Sequence, residues 1–149
     1  MVYHLTELKN LKFEDIAIGD ESHFSVKITA EKLEHFASLS GDHNPLHMDE
    51  QYAKKSRFQQ RVCHGMLLSS FFSQLVGMHL PGKRCLYLSQ NLNFLHPSFI
   101  NDEILVKGVV IEKSDSTKIL EIQTTISNQE GVLLVDGKAK VMLLEDITE

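Results

Sequence analysis

A chain of 149 residues, 42% hydrophobic and 23% charged, is long enough for one domain with its own core, too short for two and too apolar for disorder. Its formal net charge of −5 argues against a nucleic-acid-binding role, so an anionic ligand would need a local basic patch.

Met1–Lys12 reads as a lead-in to a single domain over 1–149. Residues 19–28 alternate Phe24, Val26 and Ile28 with polar neighbours, which predicts a strand. Thr29 is placed to cap a helix to about Leu39, with Leu33, Phe36 and Ala37 on one face and Gly41 as its stop. A loop is expected over 41–48, then a short helix from Asp49 to about Lys55. Residues 65–80 are apolar around most of a helical circumference, which predicts a buried helix ended by Pro81 and Gly82. Strand patterns follow at 84–95, 103–112, 117–127 and 132–144, with a hairpin turn at Gly131. The strand connections are too short for crossover helices, so the sheet should be antiparallel and wrapped on one helix, an α+β fold. No run of about 18 apolar residues predicts a membrane span. Met1–Asn10 lacks the apolar run of a secretory leader. Cys63 and Cys85 form no paired motif and read as reduced thiols, so a cytoplasmic location is expected.

Ser40-Gly41-Asp42-His43-Asn44-Pro45-Leu46-His47 is the strongest local signal. On a regular helix Asp42 and His47 would diverge, and on a strand they would face opposite ways. An irregular turn, broken by Pro45 and bonded by Asn44, would let a carboxylate and an imidazole converge on one water. A plain polar turn with Asp42 exposed fits the spacing too. The second signal is Val62-Cys63-His64-Gly65-Met66. Gly65 permits close backbone approach, and its N–H lies where a helix presents unpaired donors and a positive dipole end. Such donors would stabilise a developing enolate; the alternative is a tight turn into the helix. Ser73 reads as a polar group facing a cavity, since no nucleophile elbow surrounds it. Asp42, His43, His47 and His64 lack the spacing of common zinc sites, so no metal is expected. Lys54, Lys55, Arg57, Arg61 and Lys83-Arg84 are candidates for phosphate binding, or ordinary surface charge.

Together these segments resemble the MaoC-like hydratases, in particular the R-specific 2-enoyl-CoA hydratases, over roughly residues 13–144. Phe36 to His47 and His64-Gly65-Met66-Leu67-Leu68 carry the resemblance; Leu80-Pro81-Gly82 and Gln90-Asn91-Leu92-Asn93-Phe94 extend it in order. It implies a hot-dog fold, a homodimer, and reversible hydration of a trans-2-enoyl-CoA to the R-3-hydroxyacyl-CoA. Asp42 and His47 match the catalytic pair, Gly65 the backbone oxyanion donor, Asn44 a positioning residue and Ser73 a supporting helix serine. Phe72 and Val76 beside Ser73, with Val141 opposite, are the expected wall of the acyl site, and Lys83 and Arg84 the expected phosphate grip. Coenzyme A is the acyl carrier of the substrate, and no separate cofactor is implied. Neither a nucleic acid nor a membrane is an expected partner. Arg61, Cys63 and Asn101-Asp102 depart from the commonest family pattern without removing a catalytic group. A dehydratase acting on acyl carrier protein, a thioesterase and a non-catalytic acyl-CoA-binding module are the alternatives. The absence of Asp or Glu from 65–80 counts against the thioesterase.

Overall fold

The computed structural model describes residues 7–148; the first half of the lead-in lies outside them. Strand β1 (Glu21–Lys27) is followed by α1 (Ala30–Ser40), the single turn α2 (Pro45–Met48), α3 (Glu50–Lys54) and α4 (Gly65–Gln74). Then come β2 (Cys85–Gln90), β3 (Asn93–Phe94), β4 (Glu103–Ser114), β5 (Ile119–Ser127) and β6 (Leu133–Leu143). The sheet runs β1-β4-β5-β6-β2, with β3 also on β6, and every pairing is antiparallel. It wraps α4, giving the hot-dog arrangement.

Period-2 patterning explains the wrap. Alternate residues of β4 and β5 point inward, among them Ile104, Val106, Val110, Leu120, Ile122 and Ile126, all buried. At its start α4 lays Leu67, Leu68 and Phe72 against Ile104, Val106 and Ile126. Beyond it Val76 and Leu80 meet Val110, Leu120 and Val141. Each such fully buried side chain contributes about 1.5–3 kcal/mol. A bulge in β4 between Val110 and Glu112 bends the sheet around the helix.

Three expectations needed correction. Residues 41–48 are not all loop: Pro45 stands in the first turn of α2, and Asn44 Oδ1 accepts from Leu46 N–H at 3.0 Å. The expected 65–80 helix is regular only to Gln74, and Leu75–His79 form a π-helical turn. The lead-in serves that turn, with Lys9 N–H donating to Met78 O at 2.9 Å. The helix is also not enclosed all round, because Met66 is 57% exposed. The strand expected over 84–95 splits at Asn91, whose Oδ1 accepts from Lys138 N–H at 2.7 Å. Among the described residues no helix is long and apolar enough to cross a membrane.

Candidate active site

The Asp42 loop is built by short-range bonds. Thr29 Oγ1 caps α1, as its position implied. Gly41 ends it with a left-handed φ of 80°, a conformation that favours glycine. Ser40 Oγ then accepts from Asp42 N–H at 3.1 Å, Asp42 Oδ1 from Asn44 N–H at 3.1 Å, and Asn44 Oδ1 from Leu46 N–H at 3.0 Å. Three successive side chains thus each hold the backbone two residues on. Asp42 Oδ1 is committed to this ladder, while Oδ2 faces His47 Nε2 at 4.0 Å.

His47 is oriented from the far side. Its Nδ1 lies 2.7 Å from Val62 O. A carbonyl only accepts, so Nδ1 carries a hydrogen, and the ring in its singly protonated form presents the Nε2 lone pair to Asp42. Val62 is fixed in turn: its N–H donates to Leu46 O, and it bridges Phe99. Arg61 Nε donates to His47 O at 2.6 Å, steadying the end of α2. The departure at Arg61 therefore reinforces the site.

Asp42 Oδ2 and His47 Nε2 are both acceptors, and 4.0 Å is too long for a direct hydrogen bond. A water between them can donate one hydrogen to each, which leaves an oxygen lone pair free. The Asp42 side chain is 48% exposed and that of His47 18%, so a ligand can reach the pair.

His47 and Gly65 line one cavity of about 440 Å³, together with Arg57, Phe58, Phe94 and His96. Asp42 is not part of its wall. Gly65 is the first residue of α4, and among the described residues nothing accepts its N–H. A Cβ at Gly65 would stand 2.9 Å from the half-exposed Phe94 ring, which would have to shift to admit it. Cys63 also lines the cavity, but burial pushes its thiol up to about 12, which keeps it protonated and unreactive.

The structure does not bring the other expected residues to this cavity. Phe72, Val76 and Val141 are buried in the core between helix and sheet. Ser73 turns outward and is exposed. Lys83 and Arg84 follow the far end of a helical run about 20 Å long, whose start holds Gly65. Arg84 Nε donates to Asn10 Oδ1 at 2.9 Å, beside a separate cavity that Glu14 and Glu145 also line. Asn44 is exposed and acts on the loop backbone. Sequence reasoning gave no role to the Val62 carbonyl, His96 or His64.

His64 is 1% exposed and its Nε2 lies 3.0 Å from Asp42 O, so that nitrogen is the donor. Its ring stacks on His47, with centroids 4.1 Å apart and planes 29° apart. Burial holds its pKa below the ordinary value and keeps it neutral. One potential ligand atom from each of Asp42, His47 and His64 lies within 4.8 Å of the others, close enough together to share a metal ion. The two imidazoles are stacked, and each has one nitrogen on a backbone carbonyl.

Fold and site define a hot-dog domain with an aspartate–histidine pair near the N-terminus of its central helix. The model of the MaoC like domain family matches residues 14–132. An (R)-specific enoyl-CoA hydratase of Aeromonas caviae is 38% identical over 130 residues, 87% of this chain and 97% of its own. A mitochondrial 3-hydroxyacyl-[acyl-carrier-protein] dehydratase of Arabidopsis thaliana is 34% identical, over 86% and 78% of the two chains. Among solved structures, the unliganded R-hydratase PhaJ1 of Pseudomonas aeruginosa superposes with a TM-score of 0.89 at 32% identity, covering 95% of this chain and 94% of its own. The chain belongs to the MaoC-like domain family.

Proposed function

We propose that this protein is a hydro-lyase that adds water reversibly to a trans-2-enoyl-CoA, giving the R-3-hydroxyacyl-CoA. The observation that carries the reading is the pair of acceptors, Asp42 Oδ2 and His47 Nε2, facing each other across 4.0 Å. A water held by both directs its lone pair at Cβ of the enoyl thioester. As the C–O bond forms, Asp42 takes one water proton and the Cα=Cβ electron pair moves toward the thioester carbonyl. The Gly65 N–H and the positive end of α4 stabilise the charge on that oxygen. A proton then returns to Cα through the pair, so the water's oxygen and one hydrogen end on Cβ and one proton on Cα. The R outcome rests on the relatives named above.

The test is incubation with crotonyl-CoA and longer enoyl-CoAs, following loss of the conjugated thioester and the configuration of the product. Hydration to the R alcohol is expected. Release of free thiol without hydration, or tight binding without turnover, would overturn the reading. A carrier-protein dehydratase is the second reading, favoured by the plant relative; kinetics with matched CoA and carrier-protein thioesters separate the two.

A homodimer is part of the proposal. Among the described residues β2 is an edge strand with Leu86 and Leu88 exposed, and Met66 and Phe94 are exposed near the cavity. An unpaired edge flanked by apolar side chains is suited to a second copy. Both cysteines are free, which agrees with a reducing compartment such as the cytoplasm.

A further inference from the structure

His64 is the residue beside the pair that the proposed reaction does not use. It stands at the N-terminus of α4, and three features set it apart from a packing histidine. Its Nε2–H reaches back 22 residues to the backbone carbonyl of Asp42. Its ring lies against the ring of His47, and the ring of Phe36 meets it edge-on, with centroids 4.9 Å apart. Its Nδ1 is buried and has no hydrogen-bond partner. A buried acceptor left unpaired is costly. Packing alone would be served as well by a phenylalanine, which fills the same space with no unpaired atom. What phenylalanine cannot supply is the Nε2–H.

We infer that His64 is a positioning residue for the water site: its Nε2–H clamps the Asp42 backbone while its ring backs the imidazole of His47, so one side chain sets the separation of the two acceptors. The inference rests on the hydratase reading. The short-range ladder from Ser40 to Leu46 shapes the Asp42 loop but does not tie it to α4. His47 is tied to Val62 and Arg61. His64 Nε2 gives Asp42 an equivalent tie, and both ties come from residues 61–64. Misplacing a catalytic group by about 1 Å can cost about a hundredfold in rate. Loss of the clamp should therefore appear in kcat, with little effect on substrate binding.

The test compares wild type, His64→Gln and His64→Phe on crotonyl-CoA, with thermal unfolding of each. The Gln side chain carries an N–H the same number of bonds from Cβ as His Nε2, so it can restore the clamp. Phe keeps the ring and loses the donor. The expected result is kcat within about threefold of wild type for Gln and at least about tenfold lower for Phe, with KM within about twofold throughout. Equal activity of the two variants, whether both high or both low, overturns the inference. So does a loss carried by KM alone. Ring-nitrogen chemical shifts of the wild type give a readout that does not depend on either variant folding. His64 should be neutral at pH 7 with hydrogen on Nε2 and none on Nδ1; the other tautomer, or a charged ring, overturns the inference. An inactive wild type would instead sink the hydratase reading and leave the tautomer measurement to judge the clamp.

Discussion

Replacing Asp42 with asparagine separates chemistry from architecture. The side chain keeps its shape, and its carbonyl oxygen can still accept from Asn44 N–H, the bond that Oδ1 makes at 3.1 Å. With that oxygen so placed, the amide NH₂ falls where Oδ2 now faces His47 Nε2 at 4.0 Å. A donor then points at the water where an acceptor stood, and no group at that position can take the water's proton. A positioned acid/base group contributes about 10²–10⁴ in rate, or about 2.7–5.4 kcal/mol at 1.36 kcal/mol per decade. The side chain is half exposed, so folding stability should change by less than about 1 kcal/mol. The assay is kcat on crotonyl-CoA, with thermal unfolding of the same preparations. His47→Ala should show a comparable fall, and the double variant should lose less than the product of the two, since in the proposed reaction both residues act on one water. Activity of Asp42→Asn within threefold of wild type would refute the reasoning, as would a loss explained by unfolding.

Three other outcomes are expected. Arg57 lines the cavity whereas Lys83 and Arg84 do not, so Arg57→Gln should raise KM for enoyl-CoA at unchanged kcat and leave a pantetheine thioester unaffected; steady-state kinetics on both substrates check this. Val76 is fully buried against Val110, Leu120 and Val141, so Val76→Phe should overpack the core, costing about 1–3 kcal/mol in denaturant unfolding and lowering activity for all acyl lengths alike. Acid should destabilise the protein through His64: its folded pKa lies below the ordinary 6.5, so between the two values the unfolded chain binds more protons. Stability is thus intact above about pH 6.5 and falls below it, by at most about 1.4 kcal/mol per pH unit from this one residue. His79, also depressed by burial, adds a slope of the same sign, so the measurement is the flattening of the stability–pH curve in His64→Gln relative to wild type.

The loop that carries Asp42 was legible because its bonds are local. Gly41 in the left-handed region and the ladder through Ser40, Asp42 and Asn44 join residues two to four apart, so residue types and spacing foretell them. The strands were legible through alternation, and the antiparallel order through short connections. The rest of the site depends on contacts the chain makes only after folding. His47 takes its tautomer from a carbonyl 15 residues away, and the Asp42 backbone takes its tie from a ring 22 residues away. No local spacing encodes those partners. Residues on the helix show the same limit: periodicity makes Ser73, Phe72 and Val76 neighbours, but only the sheet's wrap decides that Phe72 and Val76 are sealed in the core while Ser73 faces out. The phosphate candidates show the same limit: within one chain Arg57 reaches the cavity wall, while Lys83 and Arg84 do not. Charge could be counted in the sequence, but its distance from the cavity is set by the length of the helical run, which puts Lys83 and Arg84 at one end and Gly65 at the other. The sequence determined the elements and one half of the site through short-range bonding. Tertiary packing decided which backbone carbonyls and which ring complete it, because those partners meet only when the helix is buried in the sheet.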